Sequence, residues 1–85
     1  MPYSVLWDPK ALRILDKLPK NTAKRIVLKV REVAENPSRF LEHYEGDDFH
    51  KLRVGDYRLL VDVNPNKKKL IVRVLGHRKK IYKKK

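Results

Sequence analysis

The chain contains no cysteine among its 85 residues. Disulfide cross-links and thiolate chemistry are therefore excluded, and a reducing compartment is the natural environment. No apolar run approaches the ~20 residues that cross a bilayer, and the first residues lack the basic and long apolar regions of a secretory signal. We therefore expect a cytoplasmic protein without a membrane partner.

Several motifs that carry chemistry are also missing. The sequence has no P-loop, no GxGxxG and no Ser-His-Asp pattern. Acidic and histidine residues do cluster in one segment, without any familiar ligand spacing: Glu42, His43, Glu45, Asp47, Asp48 and His50. We therefore expect neither a metal nor a cofactor.

Acidic residues are few, and the excess of basic residues is uneven. The chain has 22 Lys and Arg against 10 Asp and Glu, a net charge of +12. Residues 1–45 hold nine cations and six anions, whereas residues 46–85 hold thirteen and four. This asymmetry favours a polyanion partner such as nucleic acid, because each neutralised phosphate releases counterions. The alternatives are a charge that serves solubility, or the lysine-rich composition of some thermophile proteins.

Hydrophobic periodicity predicts an α+β domain. Alternation predicts an opening strand over 3–7, and helical spacing predicts a helix from Pro9 to about Leu18, capped by Asp8 and stopped by Pro19. A second helix, capped by Asn21 or Thr22, extends to residues 36–37. Residues 37–48 form a loop that can include a helical turn. Three strands follow, at about 49–54, 57–63 and 69–76.

This order, β-α-α-β-β-β, predicts a small, mostly antiparallel sheet with a helical hairpin packed on one face. We expect a single domain over residues 1–85, with a mobile basic tail at 83–85.

Gly55-Asp56 is a signal for a two-residue hairpin, and it sets a register. The register places Val54 opposite Tyr57, Arg53 opposite Arg58 and Lys51 opposite Leu60. The apolar residues of the two strands then face the helices, namely Leu52, Val54, Tyr57, Leu59 and Val61.

The cations Lys51, Arg53 and Arg58 lie on the other face in this register. On the third strand, Arg58 is expected across from about Val74 or Leu75, with His77 and Arg78 at the same end of the sheet. Which face His77 takes depends on the exact register, which the sequence leaves open.

Such a cluster has the parts that RNA cleavage needs. The 2′-hydroxyl is an internal nucleophile, so a base, a cationic clamp and a proton donor suffice. Lys51 is the candidate base, because two neighbouring cations disfavour a third positive charge. Arg58 is the candidate clamp, since a guanidinium fork matches phosphate oxygens. Arg78 can share that role or protonate the leaving group.

The remaining candidates have subsidiary roles. His77 is of the side-chain type that exchanges protons near neutral pH. Tyr82 can stack on an unpaired base. Arg53, Lys79 and Lys80 are expected to bind the RNA backbone. For each of these residues the alternative is an ordinary solvated or packing side chain.

The motifs ENP at 35–37, KLRVGDYRL at 51–59 and GHRKKIY at 76–82 together resemble the RelE toxins of the RelE/ParE superfamily. The resemblance implies a ribosome-dependent endoribonuclease that cuts mRNA in the ribosomal A site without a metal and is inhibited by a cognate RelB-like antitoxin. It implies catalytic or RNA-binding roles for Lys51, Arg58, Arg78 and Tyr82. Better-studied bacterial members have a second lysine where this chain has Phe49.

Two other functions fit the same sequence. One is a ParE-like toxin that poisons DNA gyrase by binding. The other is an RNA- or ribosome-binding module whose basic face does no chemistry.

Overall fold

The structure is a computed structural model, and it describes residues 2–43 and 49–77. Three helices and five strands follow one another along these residues: β1 (Ser4–Trp7), α1 (Pro9–Lys17), α2 (Lys20–Glu35), α3 (Pro37–Phe40), β2 (Glu42–His43), β3 (His50–Val54), β4 (Tyr57–Asn64) and β5 (Lys69–His77). The described helices include none that is both long and apolar enough to cross a membrane.

Of the predicted N-caps of the two long helices, the first is confirmed and the second is wrong. Asp8 caps α1 as predicted, since its Oδ1 accepts a hydrogen bond from the backbone N–H of Lys10 at 3.0 Å. The predicted caps Asn21 and Thr22 of α2 are wrong. Pro19 occupies the N-cap position, and its carbonyl accepts the first helical bond from the N–H of Ala23 at 2.9 Å. A proline that ends one helix can also occupy the N-cap position of the next, which the prediction did not consider.

The strands form one sheet in the order β1-β5-β4-β3-β2. Strand β1 is parallel to β5, and the other pairs are antiparallel, as the mostly antiparallel prediction requires. The predicted register of the hairpin is confirmed, with Val54 opposite Tyr57 and Arg53 opposite Arg58. The segment predicted as a loop contains the one-turn helix α3 and the strand β2, whose two residues are too few to show alternation.

A β-bulge in β5 changes the predicted pairing of the third strand. Leu60 pairs with Val74, but the next residue, Val61, pairs with Val72, so β5 has one extra residue there. The bulge lets both Val72 and Leu75 be buried, although strict alternation would place them on opposite faces. It also moves Arg58 opposite Gly76, so the predicted partner, Val74 or Leu75, is wrong.

The core lies between the helices and one face of the sheet. Its buried members come from α1, α2, β3, β4 and β5: Ala11, Leu15, Ile26, Val30, Val33, Ala34, Leu52, Val54, Leu59, Val61, Leu70, Val72 and Leu75. The strand residues in this set share the face predicted for Leu52, Val54, Leu59 and Val61. The helical hairpin therefore covers this face of the sheet. The residues that alternate with these core residues along β3 and β4 point to the opposite face.

Candidate functional site

The hairpin β3–β4 brings three of the predicted cations together. Arg53 lies directly opposite Arg58, and Lys51 pairs with Leu60, one step away on the same face. Lys51 and Arg58 are thus diagonal neighbours, a relation that separates Cα atoms by about 7–8 Å. An anion on this face can be reached from both strands.

Arg58 differs from the other cations in its burial. It is only 5% exposed, the sole buried charged side chain among the described residues, whereas Arg53 is exposed and Lys51 is half-buried. Alternation gave the correct side of the strand but did not indicate this burial. Burying a charge is unfavourable unless other groups interact with it, and Arg58 does interact with its surroundings. A guanidinium held in this way loses little entropy when it binds an anion.

His77 lies close to this cluster along the sheet but on the opposite face. It pairs with Tyr57, and the two rings meet edge to face with centroids 5.6 Å apart and planes at 79°. Tyr57 belongs to the helix-facing side of β4. The structure therefore places His77 at the predicted end of the sheet. The residue opposite Arg58 is Gly76, whose side chain is a single hydrogen atom.

Four of the predicted site residues lie outside the described residues. They are Arg78, Lys79, Lys80 and Tyr82, and the predicted mobile tail at 83–85 lies there as well. The end of β5 at His77 directly precedes Arg78 in the chain. Among the residues of 2–43 and 49–77, no group of three or more His, Asp or Glu is placed to hold a metal ion.

Sequence reasoning missed a second set of residues beside the hairpin. Lys29 Nζ lies 5.0 Å from the centroid of the Phe40 ring, and Arg25 lies against the β3–β4 turn. Arg25 and Lys29 are four residues apart in α2 and so share a helix face. That spacing was the available signal, but only the packing of α2 against β3 shows that these cations adjoin Lys51 and Arg53.

The fold and the sequence both match known toxins. A family model described as the ParE toxin of the type II toxin–antitoxin system parDE matches residues 5–82. No curated protein sequence matches the chain.

Three solved structures illustrate the likeness. The RelBE2 toxin–antitoxin complex of Mycobacterium tuberculosis matches with a TM-score of 0.80 and 25% identity, over 91% of this chain and 92% of that one. The RelE–RelB complex of Pyrococcus horikoshii OT3 has a TM-score of 0.75 and 27% identity, over 92% and 97%. The intact RelBE complex of Escherichia coli has a TM-score of 0.77 and 26% identity, over 88% and 95%.

The predicted α+β architecture and the resemblance of the motifs are thus both confirmed. The family match covers nearly the whole chain, from the second residue of β1 to Tyr82. The chain belongs to the RelE/ParE family of type II toxin–antitoxin toxins.

Proposed function

We propose that this toxin is a ribosome-dependent endoribonuclease that cleaves mRNA in the ribosomal A site. The observation that carries the proposal is the buried Arg58 directly opposite Arg53, with Lys51 diagonal to it on the same sheet face. A toxin that acts only by binding gains nothing from holding one guanidinium out of water. A phosphate clamp does gain, since a fixed charge needs no reorganisation as charge develops in the transition state.

The proposed reaction is a metal-free transesterification. Lys51 removes the proton of a 2′-hydroxyl, whose oxygen attacks the adjacent phosphorus. Arg58 binds the phosphorane oxygens, which carry the developing negative charge. The bond from phosphorus to the 5′-oxygen then breaks, leaving a 2′,3′-cyclic phosphate and a 5′-hydroxyl. The leaving oxygen takes a proton from Arg78, because His77 pairs with Tyr57 and lies on the opposite face of the sheet.

The other predicted residues bind the RNA. Tyr82 stacks on an unpaired base near the cut, and Arg53, Lys79 and Lys80 interact with phosphates on either side. Arg53 is exposed on the face of Arg58, which supports a role in binding a phosphate next to the one being cleaved.

We also propose a cognate antitoxin as the protein partner. The three solved structures described above are toxin–antitoxin complexes of the RelBE type, which supports a RelB-like inhibitor. A net charge of +12 would attract an acidic antitoxin segment and speed its association. Such a segment would block the basic face until it is removed.

A second candidate function is gyrase poisoning, and one observation favours it: the matching family model is described as a ParE toxin. A third is an RNA- or ribosome-binding module that has no catalytic activity. Expression of the toxin in a bacterial host separates the ribonuclease from the gyrase poison. The ribonuclease stops incorporation of labelled amino acids before DNA supercoiling changes, whereas a gyrase poison changes supercoiling first.

Substitutions test the chemical assignment in the same assay. Arg58→Met and Lys51→Met should remove toxicity, while Arg13→Met, at an exposed position of α1, should keep it. If the Arg58 and Lys51 variants fold, as judged by circular dichroism, and still stop translation, the catalytic roles are wrong.

A further inference from the structure

Helix α2 contributes a line of positive charge next to the hairpin. A Cβ atom placed on Gly55 would lie 3.3 Å from Arg25 Nη1, so the guanidinium packs against the β3–β4 turn. One helical turn later, Lys29 reaches Phe40 of α3 and also forms a 3.3 Å ion pair with Glu32. These side chains lie beside Lys51 and Arg53 but were assigned no role above.

Two clefts join the helix to the strand. One, of about 410 Å³, is lined by Arg25, Lys29 and Arg53 together with parts of the turn. The other, of about 300 Å³, is lined by Lys29, Phe40, Lys51 and Arg53. Because both include Lys29 and Arg53, they form one continuous path, which we call the α2–β3 groove. It extends from the hairpin turn to Lys51.

The position of β3 explains why the groove reaches both the helix and the candidate base. Strand β2 pairs with β3 only at His50 and Lys51. Within the described ranges no other strand covers Leu52 to Val54 on that side. Arg53 therefore stands at an open sheet edge, next to α2 on one side and to Arg58 on the other.

The chemistry of the groove matches unpaired nucleic acid. It combines four cations, Arg25, Lys29, Lys51 and Arg53, with the half-buried ring of Phe40. Proteins that bind single strands use a cationic groove for the backbone and aromatic rings on which bases stack. An acidic peptide would use the cations but has no use for an accessible ring. The one acidic lining residue, Glu32, is already paired with Lys29.

We propose that the α2–β3 groove binds the single-stranded RNA next to the cleaved phosphate, with a base stacked on Phe40. Lys29 leaves the ring face and pairs with a phosphate when the base arrives. Arg25 and Arg53 bind neighbouring phosphates, and Lys51 stands where the groove meets the reacting face. This inference rests on the proposed function for the direction of the strand, but RNA binding in the groove can be tested without cleavage.

The experiment measures binding of a short single-stranded oligoribonucleotide with 2′-O-methyl riboses, which cannot be cleaved by 2′-hydroxyl attack. Affinity is measured by fluorescence anisotropy over a range of salt concentrations for the wild type, Arg25→Gln, Phe40→Leu and Arg13→Gln. Arg13 is an exposed helix cation that does not line the groove, so it is the matched control for loss of one charge. A fluorescent adenine analogue in the oligonucleotide reports stacking directly.

Each variant has a distinct expected signature. Arg25→Gln should lower the slope of log affinity against log salt by about 0.7, the value for one single-strand phosphate. Phe40→Leu should weaken binding by roughly 5- to 150-fold, the loss of one base–aromatic stack, with the slope unchanged and the analogue no longer quenched. Arg13→Gln should change neither quantity beyond a small general charge effect.

The contradicting results are equally defined. If Arg25→Gln matches Arg13→Gln, or if folded Phe40→Leu binds as tightly as the wild type, the groove does not hold RNA. If poly-glutamate binding depends on Arg25 while RNA binding does not, the groove is an acidic-peptide site. If the protein binds RNA through the groove but never cleaves mRNA, the proposed ribonuclease function is wrong. RNA binding in the groove would then still hold.

Discussion

Replacing Arg58 by Met should separate activity from stability, because it should affect cleavage far more than folding. The side chain is 5% exposed, so its guanidinium has been taken out of water. Replacing a whole buried ion pair by apolar residues of similar volume is often neutral or stabilising by about 1–4 kcal/mol, whereas removing one partner of such a pair costs about 3–5 kcal/mol. Arg58 interacts with its surroundings, so the substitution removes those interactions but also removes the cost of keeping a charge out of water, and the two effects oppose each other.

The same substitution should strongly reduce cleavage. Removal of one preorganised donor to a transition-state oxyanion costs about 100- to 1,000-fold in rate, or roughly 3–4 kcal/mol. We therefore expect Arg58→Met to have at most about a hundredth of the wild-type cleavage rate, with a free energy of unfolding within about 3 kcal/mol of the wild-type value. A structural residue would show the reverse pattern.

Urea unfolding, followed by the fluorescence of Trp7, measures the stability. Trp7 is the only tryptophan and packs against the core from β1. Single-turnover cleavage of mRNA on ribosomes measures the rate, with Arg58→Lys as the variant that keeps the charge but loses the fork. Destabilisation of Arg58→Met by more than about 3 kcal/mol would make Arg58 chiefly a stabilising residue, because that is the cost of removing one partner of a buried ion pair. Unchanged cleavage by a stable variant would refute the clamp.

Three further substitutions test the account of the fold, each by urea unfolding. Asp8→Ala removes the hydrogen bond from the N–H of Lys10 and should lower the free energy of unfolding by about 1 kcal/mol, whereas Asp8→Asn should keep most of that stability. Equal losses in the two variants would assign the effect to the charge of Asp8. Gly55→Ala should lower the free energy of unfolding by about 1 kcal/mol or more, because φ is +59° and the new Cβ lies 3.3 Å from the Arg25 guanidinium. An unchanged free energy of unfolding would show that the turn relaxes around the new side chain. Ile26→Ala removes a fully buried side chain and should cost about 2–5 kcal/mol, and a smaller loss would mean that α2 does not anchor the core.

The features that could be predicted from the sequence are those that local chemistry determines. Asp8-Pro9 caps and starts α1, and Gly55-Asp56 fixes the pairing of Arg53 with Arg58, because each depends on a few adjacent residues. The face of Lys51 follows from the same register. Family motifs extended this local information to the whole fold.

The features that could not be predicted depend on tertiary packing. The bulge at Arg73 has no glycine or proline to mark it, and it shifts Arg58 from the expected partner to Gly76. The face of His77 follows from the pairing beyond that bulge, so alternation alone could not assign it. Likewise, the burial of Arg58 and the placement of Lys29 beside Phe40 require the packed helices and sheet.

Cleavage of mRNA on the ribosome is the activity proposed for this toxin. Primer extension on a translated mRNA, with purified toxin and with or without ribosomes, tests it most directly. If the proposed function is right, cuts appear within codons only when ribosomes are present, and Arg58→Met makes none. If the folded wild-type protein makes no cuts in either condition, the proposed ribonuclease function is wrong. The sheet face with Lys51, Arg53 and Arg58 would then be a binding surface only.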